Sequence, residues 1–277
     1  MNKKTRADIE AEELFKNFDI EIPINPDKIC TLLSSNSLRI EYHEREIETP
    51  NICGMSITDN NSAHIIVNSK IKSSSRRLFT AAHELGHVIL HIQTGKKAKS
   101  ECSNNDIFLN KDEENMEAEA NQFASALIMP QSLIVNAIYS NELTWQLMKT
   151  LSQKYHSSLE ATARRAVKIT KDMYALIIHE KSKMWSPVTS NSFPCFIPTS
   201  NFSRYLQPII FGESDFNFPN RLEECELSDW NLTLNPHQYR CYYSSLNFAK
   251  YSRIMTLLSI EEIETEDDPP LWEEPHF

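Results

Sequence analysis

Apolar residues recur three or four apart over residues 6–18, "RADIEAEELFKNF", which predicts a short amphipathic helix. Pro23 and Pro26 interrupt the chain. "NPDKICTLLSS" then reads as a second helix, with Asn25 as its cap and Pro26 in its first turn. The pattern shifts to strict alternation in "LRIEYHE" (38–44), a strand signal. "GMSITD" (54–59) and "AHIIVN" (63–68) flank "NNS" as the two arms of a hairpin. Helical periodicity returns in "SSSRRLFTAAHELGHVILHIQTG" (73–95). Serines supply its cap, Gly95 its stop, and Leu78, Ala82, Leu85 and Ile89 form one apolar stripe.

Residues 96–111 are polar and read as irregular. A second strong helix covers about 112–129, "DEENMEAEANQFASALIM", and ends at Pro130. "PQSLIVNAIYS", "LTWQLMKTLSQKYH" and "SSLEATARRAVKIT" read as further helices, the last with a capping box of Ser157 and Glu160. Past residue 173 the character changes to aromatics, prolines and short β-like runs: "YALIIHE", "FPCFI", "QPIIF", "YRCYYSS" and "YSRIMTLLSI". The segment "EEIETEDDPPLWEEPHF" reads as an acidic, proline-broken tail. The fold class expected is α+β: a first domain over 1–140 with a small sheet and two prominent helices, a helical segment over 141–172 with some helix-turn-helix character, and a β-rich domain over 173–277.

Composition narrows the functional classes. A net charge of −10 disfavours broad phosphate-driven nucleic-acid binding. Lys154, Arg164, Arg165 and Lys168 do gather in the helix-turn-helix-like segment, but a basic packing unit accounts for them without DNA. The opening "MNKKTRADIEAEELF" turns acidic where an export signal needs an apolar core, and no run approaches eighteen apolar residues. The expected setting is therefore the cytoplasm, with no membrane partner. The six cysteines are widely spread without a C-x-x-C pair, so reduced structural thiols are expected.

The chemistry lies in "HELGH". Residues four apart on a helix differ by about 40° of rotation, so His83 and His87 share a face and can converge on one ion. Neutral imidazoles suit Zn²⁺. Glu84 sits about 100° round from His83, outside that ligand set but within reach of a water activated by the metal, as a general base needs to be. His91 lies two turns, roughly 12 Å, along the axis from His83, too far to complete a tetrahedron on a straight helix; a structural or supporting role suits it better. The following helix offers Glu114, Glu117 and Glu119. Glu117 shares a face with Asn121, which could orient a ligand histidine through its other ring nitrogen. Glu114 and Glu119 read as solvated. Gly86, costly inside a helix, suggests the close approach of another backbone or of a substrate. No transition-state stabiliser stands out among Tyr155, His156, Tyr174 and His179.

"RRLFTAAHELGHVILH" followed by "EAEANQFASALIMP" resembles the ImmA/IrrE family of bacterial and phage metallopeptidases. "INPDKICTLLSSNSLRI", "GMSITDNNSAHIIVNSK" and "LSQKYHSSLEATARRAV" extend the resemblance over about residues 8–170. "SSNSLRI" departs from it, lacking the usual glycine after the second helix. The resemblance implies a zincin-like fold, one Zn²⁺ held by His83, His87 and Glu117, and Glu84 as catalytic base. It further implies a protein substrate, typically a neighbouring helix-turn-helix repressor, whose cleavage induces mobile-element or stress genes; an antitoxin-like partner is the related case. A GAF-like sensory domain would then occupy the C-terminal third. The alternative is a regulatory protein that keeps the zinc fold but only binds a partner or DNA. A purely structural metal is a weaker third reading. The substrate is expected as an extended strand, for which "AHIIVN" could offer a sheet edge; a plain core strand is the equal alternative for that segment.

Overall fold

The fold is that of a computed structural model, which describes residues 5–49, 51–59, 61–93, 99–103, 111–180, 183–184, 187–198, 219, 221–248 and 252–263. Gly95, the run at 207–211 and the tail past Ile263 lie outside these residues. The chain divides into two compact units, Met1–Ile169 and Thr170–Phe277, which places the helices after residue 141 with the first unit. The architecture is α+β.

The first unit starts with α1 (Arg6–Asn17) and α2 (Pro26–Leu33), the latter capped by Asn25, whose Oδ1 accepts from the amides of Asp27 and Lys28. Strands β1 (Arg39–Arg45), β2 (Ile52–Asp59) and β3 (Ser62–Asn68) follow. The hairpin forms where "NNS" predicts it, β2 antiparallel to β3, while β1 joins β3 in parallel. A fourth strand, β4 (Lys99–Ser103), comes from the stretch read as irregular and pairs with β2, giving the order β1-β3-β2-β4. Its sequence, "KSECS", is too polar to signal a strand; backbone pairing to an existing edge supplies what hydrophobic patterning lacks. Of the two readings of "AHIIVN", an open edge and a core strand, the order supports the second: β3 is bonded on both sides.

Alternation sends Ala63, Ile65 and Val67 of β3 to one face, all fully buried, where α3 (Ser74–His87) packs. This helix carries more than the predicted stripe: every residue from Thr80 to Val88 is buried, because the sheet lies on one side and α4 (Lys111–Ile128) on the other. The α-helix ends at His87, and Val88–Ile92 continue as a wider π turn closed by the Gln93 amide donating to the Val88 carbonyl, a change that periodicity does not announce.

Helices α5 (Gln131–Tyr139), α6 (Trp145–Lys154) and α7 (Leu159–Ile169) complete the unit. The cap of α7 is Ser158 rather than Ser157: its Oγ accepts from the Ala161 amide, whereas Ser157 lies by the Thr162 hydroxyl and Glu160 pairs with Arg164. Arg165, one of the supposed basic face, is buried and donates to Asp8 at 2.8 Å and to the Met129 carbonyl at 3.2 Å, so it ties helices together. Tyr155 is a core side chain.

The described residues of the second unit form a sheet of β5 (Met173–Glu180), β6 (Lys183–Met184), β7 (Val188–Thr189), β8 (Glu223–Cys225), β9 (Tyr239–Phe248) and β10 (Arg253–Glu262), in the order β6-β5-β10-β9-β8 with β7 paired to β5, and a short 3-10 turn at Leu227–Trp230. Ala175, Ile177, Trp230, Tyr243, Leu258 and Ile260 form its core. "FPCFI" forms no strand; Pro194 cannot donate to a ladder, and Ile197 joins the core with Phe193 and Cys195 packed against it. Tyr174 and His179 are buried in this sheet, and burial pushes the His179 imidazole down to about 4. Among the described residues no helix is long and apolar enough to cross a membrane, and Cys30, Cys195, Cys225 and Cys241 are free thiols.

Candidate metal centre

Two close approaches create the site, and each depends on a glycine. Where Gly86 faces α4, a Cβ would lie 3.1 Å from Phe123 Cδ1 and 3.3 Å from the Cα of Ala120. Its absence lets α4 cross close beneath "HELGH". On the other side a Cβ on Gly54 of β2 would lie 2.5 Å from Thr80 Cγ2 and 3.3 Å from Glu84 Cγ. Gly54 is thus the floor against which Glu84 packs, a role that its place in an alternating strand gives no hint of. For Gly54→Ala we expect the stiff, β-branched Thr80 to be forced aside, a loss of about 1–3 kcal/mol of stability in denaturant titration, and a displaced Glu84.

The crossing brings Glu117 of α4 under the two histidines. His83 Nε2 lies 3.0 Å from Glu117 Oε2, His87 Nε2 lies 3.1 Å from Glu117 Oε1, and the two Nε2 atoms are 3.0 Å apart. His83 and His87 are 2% and 0% exposed, and Glu84 is fully buried beside them. Glu114, by contrast, is exposed.

The outer ring nitrogens determine what faces inward. His83 Nδ1 is 3.0 Å from Asn121 Oδ1, an acceptor, so the proton belongs on Nδ1 and the Nε2 lone pair points into the site. His87 Nδ1 is 3.0 Å from His91 Nδ1, and His91 Nε2 is 3.0 Å from Glu119 Oε2. The carboxylate only accepts, so His91 carries its proton on Nε2, its bare Nδ1 accepts from His87 Nδ1–H, and His87 Nε2 is also a lone pair. Glu119 is therefore an active partner of His91 rather than a solvated charge. The π turn is what seats His91 over His87.

Two imidazole lone pairs and a carboxylate thus meet within about 3 Å, in a buried place, with no proton left between them. Such a set suits a cation. A tetrahedron of bonds of about 2.0–2.1 Å has edges of about 3.3–3.4 Å, close to the spacings found, and the donors are those of a divalent transition metal. Burial alone would raise the Glu117 carboxyl, but the adjoining His83 and His87 imidazoles outweigh it and hold the group well below the usual carboxylate range. Burial lowers the His87 imidazole, favouring its neutral, ligating form.

His91 and Glu119 act by fixing the tautomer and aim of His87. His91→Phe keeps the volume and removes the acceptor; metal affinity should drop about 10–100-fold in competition with a chromophoric chelator.

A cavity of about 630 Å³ opens beside the centre, lined by Phe79, Asn121, Ile128, Met129, Ala161 and Arg164 among others. Phe79 reaches the His83 ring, with centroids 6.3 Å apart. Sequence reasoning missed this cavity because its walls come from α3, α4 and α7, which only tertiary packing brings together.

Residues 37–167 match the IrrE N-terminal-like domain of the Peptidase_M78 family. This span is similar to the ImmA/IrrE family that the sequence resembles. The IrrE-like domain is metallopeptidase-like, and its matched span holds the whole of the centre just described. A solved chain described as a Mycobacterium tuberculosis transcriptional regulator shares the fold, with a TM-score of 0.54 at 14% identity, over 93% of this chain and 76% of that one. No curated protein matches the chain.

Proposed function

We propose that the chain is a zinc-dependent endopeptidase of narrow specificity, in which His83, His87 and Glu117 hold one Zn²⁺ and Glu84 is the catalytic base. The observation that carries the reading is the pair of Nε2 lone pairs, each fixed by a partner on its outer nitrogen, converging on the Glu117 carboxylate. The ion supplies Lewis acidity for polarising a peptide carbonyl and for acidifying water. Glu84 then accepts a proton from the attacking water and delivers it to the leaving amide nitrogen. The buried surroundings of Glu84 strengthen these charge interactions by excluding bulk solvent.

The apolar cavity at Phe79, Ile128 and Met129 would seat a substrate side chain, with Arg164 at its rim. With β3 enclosed, an extended substrate would add to an outer strand, β1 or β4. The substrate class we favour is a helix-turn-helix repressor or an antitoxin-like partner, cut in the cytoplasm to switch on mobile-element or stress genes. The β-rich second unit would be the sensory, GAF-like part. The test is incubation of the purified protein with a small helix-turn-helix protein encoded beside it: cleavage at one bond supports the reading, and an intact partner under metal-loaded conditions opposes it.

The fold shared with a protein described as a transcriptional regulator favours one second reading, a partner-binding regulator that does not cut. A partner bound but never cleaved, with regulation surviving Glu84→Gln, would establish it.

A further inference from the structure

We propose a second divalent metal site, unrelated to the first, in which Glu41 and His43 of β1 and His64 of β3 bind a borderline cation such as Zn²⁺ and clip the two strands together. Glu41 and His43 are two apart on β1 and share a face of the sheet; the parallel register sets Glu41 directly beside His64. This is the pleat opposite the one that buries Ala63 and Ile65 against α3. His43 Nε2 and His64 Nδ1 each lie 3.3 Å from Glu41 Oε2, and one ligand atom from each of the three falls within 4.8 Å of the others. The spacing of 3.3 Å is again about the edge of a tetrahedron with bonds of about 2.0–2.1 Å.

The surroundings are arranged as supporting groups of a metal site are. His64 Nε2 lies 3.0 Å from Ser62 Oγ and 3.7 Å from Asp59 Oδ2, and Ser62 in turn donates to Asp59. A proton on Nε2 satisfies that side and leaves a bare Nδ1 facing the equally bare Glu41 Oε2. Arg39 Nε donates to the other Glu41 oxygen at 2.8 Å, which fixes the carboxylate without covering Oε2. The rings of His43 and His64 stack at 5.8 Å and 21°, so both present an edge to the same point. The three side chains are 27–30% exposed, enough for an ion to enter and for water to complete its coordination. Two imidazoles with one carboxylate select Zn²⁺, Co²⁺ or Ni²⁺ over Mg²⁺ or Ca²⁺. Because β1 is an outer strand held by one neighbour, the ion would lock it in register.

The test uses the untagged full chain, stripped by chelator and titrated with Zn²⁺. Two equivalents are expected for the wild type, one for Glu117→Ala, and one for the His43→Ala/His64→Ala pair, whose far-UV circular dichroism should match the wild type. Amide exchange in β1 should slow on zinc addition to Glu117→Ala. A wild type that binds one equivalent, lost in Glu117→Ala, overturns the second site; so does undiminished stoichiometry in the His43/His64 variant. Failure of the first site reads differently: Glu117→Ala would then bind as much zinc as the wild type. Cobalt-loaded Glu117→Ala should show no thiolate charge-transfer absorption, and such a band surviving the histidine substitutions would assign the ion to cysteines instead.

Discussion

Glu84→Gln is expected to lower cleavage of the partner protein by at least ~10³-fold while leaving the metal content unchanged. General acid–base groups contribute up to about 10⁴-fold, and in the proposed mechanism one carboxylate would handle both proton transfers, from water and to the leaving nitrogen, so its loss would fall on two steps. A factor of 10³–10⁴ corresponds to about 4–5.5 kcal/mol of barrier. Glutamine keeps the shape of the side chain against Gly54 and Thr80, so no cavity or clash follows. Glu84 is fully buried, and replacing a buried charge with an amide removes a desolvation cost; the melting temperature should therefore not fall. The measurements are single-turnover cleavage, bound metal per chain and thermal unfolding on the same preparations. Full cleavage by Glu84→Gln would end the assignment of Glu84 as base. Lost cleavage together with lost metal would make it a structural residue.

How far the sequence foresees this centre can be traced residue by residue. His83, His87 and Glu84 follow from helical geometry alone, because the chemistry depends on a local period. Glu117 follows less directly: its partnership with Asn121 is a local i, i+4 relation, but which glutamate turns inward depends on how α4 crosses α3. The structure sets Asn121 Oδ1 against His83 Nδ1 and both Glu117 oxygens against the histidines.

Where an assignment depends on departures from ideal geometry, only its outline is legible in the sequence. Helical geometry gives His91 a supporting role but not its partners, which the π turn at Val88–Ile92 supplies by seating it against His87 and drawing in Glu119. The π turn leaves no mark in hydrophobic periodicity. Whether "AHIIVN" is an edge or a core strand stays open in the sequence for a topological reason: a strand is central only if distant strands join it, and β1, starting 23 residues before the first residue of β3, closes the side that the β2 hairpin leaves free. Gly54 escaped notice since a glycine in an alternating strand looks like a gap, and its purpose appears only when Thr80 and Glu84 are seen filling it.

Removing the third donor should have the largest effect on the metal itself. Glu117→Ala is expected to weaken binding at the HELGH centre by on the order of 10³-fold. A structural zinc site contributes roughly 10–16 kcal/mol, and one of three protein ligands accounts for about 4 kcal/mol of it. Glu117→Gln, which keeps an oxygen but not the charge, should fall between. The pH dependence of the wild type discriminates further. Glu117 is held well below the usual carboxylate range, so it remains ionised through mild acid and is not the group that releases the ion. His87 is depressed by burial from its reference of 6.5, so its neutral form persists below that value. The stability it confers is fully present above the unfolded-state value and lost as pH falls through the lower folded one. Metal should accordingly stay bound down to pH 6.5 and leave only below it, with uptake of protons by the imidazoles. Chelator competition across that range on wild type and both variants checks each point. If Glu117→Ala held the ion as tightly as the wild type, the third donor would lie elsewhere, and His91, whose nitrogens face His87 and Glu119, would not be it.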